Sequence, residues 1–169
     1  MDPRPDHVDR VVEQWAAERP ELDASPIRVV GRVSRLSRGI DRQLKTVFDR
    51  HGIEAWEYDV LAALRRSGPP YELTAGALLA SLMITSGAVT NRIDRLEARG
   101  LVRRVKAPHD GRIVLVQLTA AGRAVIDGAT PEHLANEREI LRHLSPAEAR
   151  ELEQLLRKVQ RGLDDAAGA

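Results

Sequence analysis

The stretch Met83–Gly100, MITSGAVTNRIDRLEARG, decides how this chain is expected to fold. It begins with small polar residues of the kind that start a helix, and it ends at a glycine, the residue most often found just after a helix. Between these ends Val89, Ile93 and Leu96 recur at the spacing of one helical face. The stretch therefore predicts an amphipathic helix from about Ser86 to Arg99.

The face opposite that apolar stripe is small and polar, because each residue advances about 100° around a helix. Small side chains let a helix backbone approach another surface closely, and the free N–H groups of a helix N-terminus attract phosphate. An ordinary amphipathic helix with small packing residues would show the same pattern. The outward residues of its N-terminal half are Ser86, Gly87, Ala88, Thr90 and Asn91.

The next segment changes from helical to strand periodicity. Two β-branched runs, 101–106 and 113–118, flank the sequence Ala107-Pro108-His109-Asp110-Gly111, in which Asp-Gly is a strong hairpin signal. A helix followed at once by a basic hairpin is the order of a winged helix-turn-helix. This order favours a helix that lies in the DNA major groove over one that only packs.

Side-chain chemistry gives the expected DNA contacts. Asn91 suits a bidentate contact to adenine, and Arg95 suits guanine or phosphate. Arg112, close to the hairpin tip, suits a narrow minor groove. Asp110 either holds Arg112 by an ion pair or serves only the turn. The complete set of expected DNA contacts is Ser86, Gly87, Ala88, Thr90, Asn91, Arg95, Lys106, Asp110 and Arg112.

The remainder of the chain is predicted to be helical. Helices are expected over 6–18, 26–51, 54–67 and 75–82, with Thr74 capping the last of these. After the hairpin a helix starts near Ala120, and Gly128 with Thr130-Pro131 should bend or interrupt it. A capping box at Ser145–Glu148 opens the final helix. The predicted fold class is mainly α with a small β-hairpin.

These elements suggest a domain organisation. We expect an N-terminal extension helix at 1–26, a winged helix-turn-helix DNA-binding domain at 52–119, and a helical dimerisation region formed by 27–51 and 120–169. The second and last helices carry apolar stripes larger than one small core requires. A second copy of the chain would bury them, so a homodimer is predicted.

Composition and charge limit the possible functions. The 169 residues carry a net charge of +1 and no cysteine, which excludes disulfides, thiolate metal sites and a thiol-oxidation sensor. Residues 92–112 contain seven bases and three acids, a local patch that suits an anionic partner. Nucleophile-elbow, phosphate-loop and zinc-protease motifs are missing. The histidines are scattered and expected at the surface, so no catalytic residue, metal site or cofactor is predicted. Without an apolar run of about 18 residues or a signal peptide, the chain is expected in the cytoplasm.

Arg92 is placed differently from Arg95. It falls on the shoulder of the buried stripe, where an arginine needs a partner because an unpaired buried charge is costly. It either makes a structural salt bridge or anchors an anionic ligand.

The stretch SGAVTNRIDRLEARGLVRRVKAPHDGRIVLVQLTAAG, residues 86–122, closely resembles the MarR family of bacterial transcription factors, and the resemblance extends over about Ile27–Leu163. It implies a dimeric winged helix-turn-helix that binds palindromic operators in double-stranded DNA. Such proteins usually act as repressors that a small ligand releases, and they associate with the bacterial nucleoid when bound to DNA. Gly111 departs from the family pattern, in which a second basic residue often precedes the equivalent of Arg112.

A narrower resemblance is to the urate-responsive branch of the family. It is carried by Trp15 on the first helix, by ERPELD at 18–23 and by RRSGPPYELT at 65–74. The branch implies a ligand pocket formed by Trp15, Asp59 and Arg92, with Arg104 relaying the signal. Its ligand is urate or another organic anion, and an aromatic surface, a cation and a carboxylate acceptor suit such a heterocycle.

Several alternatives stay open. Trp15 would also serve as a staple that packs the first helix onto the dimer. The effector could be a tricarboxylate or a phenolic, drug-like compound. An architectural dimer without a ligand is a further possibility.

Overall fold

The computed structural model describes residues 4–82 and 86–167, and the side chains of residues 86–88 and 167 lie outside that description. The helices are α1 (His7–Glu18), α2 (Ile27–Arg50), α3 (Ala55–Arg66), α4 (Ala75–Leu82), α5 (Ser86–Ala98), α6 (Ala120–Ile140) and α7 (Pro146–Ala167). The strands are β1 (Glu72–Thr74), β2 (Val102–Ala107) and β3 (Asp110–Leu118). The predicted fold class, mainly helical with a small β-element, is confirmed.

The chain divides into two compact units, Met1–Thr46 and Val47–Ala169, and the boundary falls within α2. In the first unit the Asp6 carboxylate caps α1 by accepting from the backbone N–H of Val8 and Asp9. Val8 is buried, and Asp9 accepts from Arg32 of α2 at 2.8 Å. An apolar contact and an ion pair therefore hold α1 on α2.

The core of the second unit centres on α3. Val60, Leu61 and Leu64 are at most 1% exposed. The predicted inward stripe of α5 packs into the same core, since Val89, Ile93 and Leu96 are all buried. Gly100 follows α5 with a φ of +69°, the left-handed conformation that favours glycine at a helix end. The predicted orientation and end of α5 are thereby confirmed.

The sheet has one strand more than the predicted hairpin. Its order is β1-β3-β2, and all pairs are antiparallel. β1 has only three residues, and Leu73 pairs with Val116. A strand this short shows no alternation, so the sequence pattern could not reveal it. β1 joins the hairpin to the start of α4, where Thr74 Oγ1 accepts from the Ala77 N–H at 3.1 Å as predicted.

The hairpin turn lies within the predicted segment 107–111, but the expectation that Asp-Gly forms it was wrong. The turn is Pro108–His109, and Asp110 is already the first residue of β3, paired with Ala107. The register then shifts, because the next pair is Lys106 with Val114. The Asp110 carboxylate accepts from the backbone N–H of Arg112 at 3.0 Å. Asp110-Gly111 therefore forms an irregularity at the start of β3 and not the loop of the hairpin.

The predicted interruption of α6 was also wrong. The helix runs unbroken through Gly128 and Pro131. Proline removes one helical hydrogen bond, but Ile126 and Ala129 are fully buried on the same helix, and Thr130 Oγ1 donates to the Ile126 carbonyl. Burial of this face offsets the missing bond.

Two histidines expected at the surface lie largely inside the second unit. The side chains of His51 and His133 are 20% and 12% exposed. His133 packs against the rings of Phe48 and Tyr58, with centroids 5.4 and 4.5 Å away. The sequence pattern suggested a surface position because neither histidine lies on an obvious apolar stripe.

The last helix begins at the predicted capping box, in which Glu148 accepts from the Ser145 N–H and donates its own N–H to the Ser145 hydroxyl. Its apolar stripe is more than 40% exposed within the chain, and so is the stripe of the first part of α2. The residues concerned are Val29, Val30, Val33, Leu36, Leu155, Leu156, Val159 and Leu163. Among the described residues, none of the helices combines the length and apolar character needed to cross a membrane.

Candidate nucleic-acid interface and ligand site

The exposed face of α5 is the first part of the candidate interface. Thr90 and Asn91 are exposed, as predicted, while the opposite side of the helix is buried in the core. Ser86, Gly87 and Ala88 belong to the first turn of α5, but their side chains lie outside the described part of the chain. Their contacts with DNA therefore stay predictions.

The hairpin of β2 and β3 forms the wing beside this helix. Lys106 is exposed, and the side chain of Arg112 is 92% exposed. Arg112 Nε donates to the Asp110 carboxylate at 3.2 Å, so the predicted ion pair between these two residues is present. The hydrogen bonds from Arg112 keep the pKa of the Asp110 carboxyl below its ordinary value. Asp110 thus orients an otherwise free arginine at the end of the wing.

Arg104 connects the wing to α5. It lies on β2 and donates to the Asp94 carboxylate at 2.5 Å and to the Glu97 carboxylate, both of which belong to α5. Glu97 also accepts from the Arg104 backbone N–H at 2.9 Å. A movement of α5 would therefore be transmitted to β2 through one arginine and two carboxylates.

The base-reading candidate Arg95 has partners that the sequence did not suggest. Arg95 donates to the Glu54 carboxylate at 3.0 Å, and its guanidinium lies 4.7 Å from the ring centroid of Trp56. Trp56 Nε1 donates to the other oxygen of Glu54 at 2.7 Å. Trp56 itself is half-buried. No chain pattern could indicate this cluster, because 41 residues separate Glu54 from Arg95.

The second missed residue is Glu57, a carboxylate that is 1% exposed. It accepts from Arg99 at 2.5 Å and from the Glu54 backbone N–H at 2.9 Å. Arg99 also donates to the Gly52 carbonyl at 2.7 Å. These bonds fix the C-terminal end of α5 against the start of α3, so the C-terminal half of α5 is held by both α3 and β2.

Two of the three predicted ligand contacts lie close together. Arg92 is half-buried, as its angular position predicted, and its guanidinium lies 5.6 Å from the Trp56 ring centroid. Burial raises the pKa of the Asp59 carboxyl, although the residue retains exposed surface, and the positive charge of Arg92 opposes that rise. His133 and Arg66 act on Asp59 in the same direction. Asp59 is therefore a partly desolvated carboxylate close to the positive charge of Arg92.

Trp15 belongs to the first unit, where 45% of it is exposed. The buried residues of the same helix are Val8 and Val12. An exposed tryptophan of this kind is available for a ligand or for a second protein surface. Its grouping with Asp59 and Arg92 stays a prediction.

This arrangement can bind duplex DNA. A helix with exposed amide and guanidinium groups suits the major groove, and an extended basic hairpin beside it suits the adjacent backbone or minor groove. The described residues contain no cluster of three or more acidic or histidine side chains that could hold a metal ion. The geometry therefore defines a winged helix-turn-helix DNA-binding protein.

Comparison with known proteins agrees with this class. The MarR family model matches residues 51–113. The HTH-type transcriptional regulator PecS of Dickeya dadantii (strain 3937) is 43% identical over 92% of this chain and 94% of its own length. MarR from E. coli in complex with operator DNA is 29% identical, with a TM-score of 0.72 over 82% of this chain and 99% of its own. BpsR of Bordetella bronchiseptica, whose DNA binding is regulated by 6-hydroxynicotinic acid, is 28% identical, with a TM-score of 0.69 over 78% and 92%.

The chain belongs to the MarR family of DNA-binding transcriptional regulators. The resemblance seen in residues 86–122 is thus confirmed. These relatives are transcriptional regulators and not enzymes, as expected from the sequence.

Proposed function

We propose that this regulator is a homodimeric repressor that a small organic anion, with urate as the first candidate, releases from a palindromic operator. The observation that carries the proposal is the position of Arg92. This arginine lies on the same helix as the exposed Asn91 and Arg95, yet it is half-buried and close enough to the Asp59 carboxylate to influence its charge. An anion bound to Arg92 would therefore act directly on the helix that faces DNA.

The DNA-binding part of the proposal uses α5 and the wing. The N-terminal half of α5 enters the major groove, where Asn91 reads a base edge, Arg95 contacts guanine or phosphate, and the helix N-terminus contacts phosphate. Arg112, oriented by Asp110, enters the minor groove, and Lys106 contacts the backbone. A palindromic operator follows from a two-fold dimer that presents two such helices.

The dimer is supported by the exposed apolar stripes of α2 and α7. Contiguous exposed apolar side chains are uncommon on a monomer and mark an interaction surface. One stripe lies on α2 and the other on α7. Two such stripes suit an isologous interface between two copies of the chain. The cytoplasmic location expected from the sequence fits a partner that is chromosomal DNA.

The ligand part of the proposal assigns a role to each predicted residue. Arg92 supplies a charge-assisted hydrogen bond, Asp59 accepts from a ring N–H, and Trp15 offers an aromatic surface. Arg104 relays a movement of α5 to the wing through Asp94 and Glu97. The regulation of BpsR by 6-hydroxynicotinic acid supports a flat nitrogen heterocycle with an acidic group as the class of effector. A tricarboxylate would use Arg92 as well, and citrate is therefore a comparison ligand in the test below.

The DNA mode is tested by titrating the DNA upstream of the gene with the purified protein over a range of salt concentrations. We expect preferential binding over random duplex and a strong salt dependence, because phosphate contacts release counterions. Lys106→Gln, which removes the proposed backbone contact, should weaken binding and reduce the salt slope by about one. The control Arg157→Gln removes an exposed arginine of α7 that pairs with Glu153 along its own helix, and it should bind like the wild type. Equal affinity for random DNA would contradict the DNA part of the proposal.

The ligand mode is tested by thermal melting and by DNA titration with millimolar urate. Urate should raise the melting temperature, since a ligand that binds only the folded state stabilises it, and it should lower DNA affinity. Arg92→Gln should abolish both effects, and Arg157→Gln should retain them. If citrate acts and urate does not, the effector is a tricarboxylate. If neither compound changes the melting of a protein that still binds its DNA, the small-anion assignment is wrong.

A further inference from the structure

We propose that Trp56 and Glu54, at the start of α3, form the coupling element between ligand and DNA. Trp56 is shared by the ligand-side Arg92 and the DNA-side Arg95, and Glu54 holds Arg95 away from DNA when the ligand is bound. This inference rests on the proposed function, because it assigns the regulation of the same site. It concerns two residues that neither the sequence pattern nor the branch resemblance singled out.

The first support is the shared aromatic ring. The guanidinium of Arg92 lies 5.6 Å and that of Arg95 4.7 Å from the Trp56 ring centroid. Both distances are within the range of a cation–π interaction. The two arginines are three residues apart on α5, the spacing at which side chains of a helix are neighbours and like charges repel each other. Trp56 therefore contacts both Arg92, the proposed anchor of the small ligand, and Arg95, the proposed DNA contact.

The second support is the second partner of Arg95. Glu54 accepts from Arg95 at 3.0 Å and from Trp56 Nε1 at 2.7 Å, so one carboxylate fixes both the ring and the guanidinium. Hydrogen bonding from Trp56, with a contribution from the charge of Arg95, lowers the pKa of the Glu54 carboxyl. Glu54 is thus ionised at neutral pH. Its side chain is 60% exposed, so a DNA phosphate can compete with it for Arg95.

These contacts predict whether ligand binding strengthens or weakens DNA binding. Without ligand, the positive charge of Arg92 weakens the attachment of Arg95 to Trp56, so that a DNA phosphate can draw Arg95 away. An anion bound to Arg92 neutralises that charge and removes the repulsion. Arg95 then remains on Trp56 and Glu54, and one DNA contact is lost. Ligand binding consequently weakens DNA binding without requiring the ligand to touch DNA.

The first experiment contains no ligand and uses Glu54→Gln, which keeps an oxygen for Trp56 Nε1 but removes the charge. We expect tighter operator binding and a salt slope steeper by about 0.9, the value of one additional phosphate contact. The gain should vanish in the background of Arg95→Gln, because Glu54 acts through Arg95. Glu153→Gln, which removes an equal charge from an exposed ion pair on α7, should change neither quantity. A gain that persists without Arg95 would overturn the role of Glu54.

The second experiment measures the ratio of the DNA dissociation constants with and without urate. Trp56→Leu should bring this ratio close to one while the urate-induced rise in melting temperature persists, and Trp56→Phe should retain most of the wild-type ratio. The melting shift shows that each variant is folded and binds urate. A wild-type ratio in Trp56→Leu would overturn the coupling. If wild-type protein shows no urate response of either kind, the urate assignment fails, and the ligand-free experiment alone decides whether Glu54 holds Arg95.

Discussion

At the scale of single residues, the charged groups of this protein act in pairs that join distant parts of the chain. Arg104 joins β2 to α5, Glu57 joins α3 to Arg99, and Glu54 holds Arg95. The pairs of Arg104 and of Arg95 are partly exposed and contribute little stability, typically about 0–1 kcal/mol, whereas the Glu57 carboxylate is buried. The main effect of these pairs is to fix where each arginine side chain points.

Asp59 is expected to lower the stability of the free protein. Burial raises the pKa of its carboxyl, so the ionised form is disfavoured in the folded state at neutral pH. Asp59→Asn should therefore raise the melting temperature at pH 7. The difference should shrink as the pH falls toward and below the ordinary pKa of aspartate, about 4, because the wild-type carboxyl then becomes protonated in both states. Melting curves of both proteins between about pH 3 and pH 8 check this.

Asp127 provides a matched control of opposite sign. A hydrogen bond from Arg65 lowers the pKa of the Asp127 carboxyl, so the folded state favours its ionised form. Asp127→Asn should lower the melting temperature at pH 7, and that loss should disappear as the pH falls below the ordinary pKa of aspartate. If both variants shift stability in the same direction, the raised pKa of Asp59 is not the cause.

At the scale of elements, close packing decides what the local sequence permits. The unbroken α6 contains Pro131 because Ile126 and Ala129 are buried beside it. The three residues of β1 form a strand because β3 offers an edge to pair with. The same dependence on a neighbour appears at Gly122 in the first turn of α6, where a Cβ atom would lie 2.0 Å from the Leu101 carbonyl oxygen.

Gly122→Ala should strongly destabilise the protein, because the contacting atom is backbone and α6 would have to move away from the sheet. We expect a loss of at least about 1–3 kcal/mol, the usual cost of overpacking. Gly162→Ala is the control, since a Cβ there meets nothing within 4 Å. Alanine in place of that helical glycine should stabilise by about 1 kcal/mol. Chemical denaturation of both variants measures these changes, and equal stabilities would contradict the close approach.

At the scale of the whole molecule, the protein carries apolar surface that its own chain does not cover. Val159 and Leu163 of α7 are 58% and 62% exposed, and Val29 and Val30 of α2 are 63% and 67% exposed. The second unit nevertheless has a complete core around α3, with Leu61 and Leu64 fully buried. The exposed stripes are therefore not defects of the core, and a second copy of the chain is their proposed partner.

The double change Val159→Lys and Leu163→Lys should convert the protein to a monomer. Lysine at an apolar interface leaves charges without partners, whereas the exposed positions in the protomer tolerate it. Analytical ultracentrifugation should show the lower mass, and operator affinity should fall because two helices no longer bind together. Gln154→Lys adds positive charge at a polar position of α7 and should stay dimeric. A wild-type protein that sediments as a monomer would exclude this interface.

The sequence by itself determined what depends on short-range patterns. Helical periodicity and caps predicted α5 with its buried Val89, Ile93 and Leu96, the start of α7 at Ser145, and the order of helix and wing that defines the family. These features depend on residues at most a few positions apart. The angular position of Arg92 was predictable for the same reason.

Only the tertiary structure decided which distant residues meet. The partners of Arg95, the buried Glu57 and the strand β1 arise from contacts across 41 to 45 residues of chain, and local periodicity contains no information about them. Burial of neighbouring apolar side chains likewise overrode the local tendencies of Pro131 and of His133. The stretch 83–100 thus contains the helix that we propose faces DNA, while contacts with the start of α3 decide where its arginines are held.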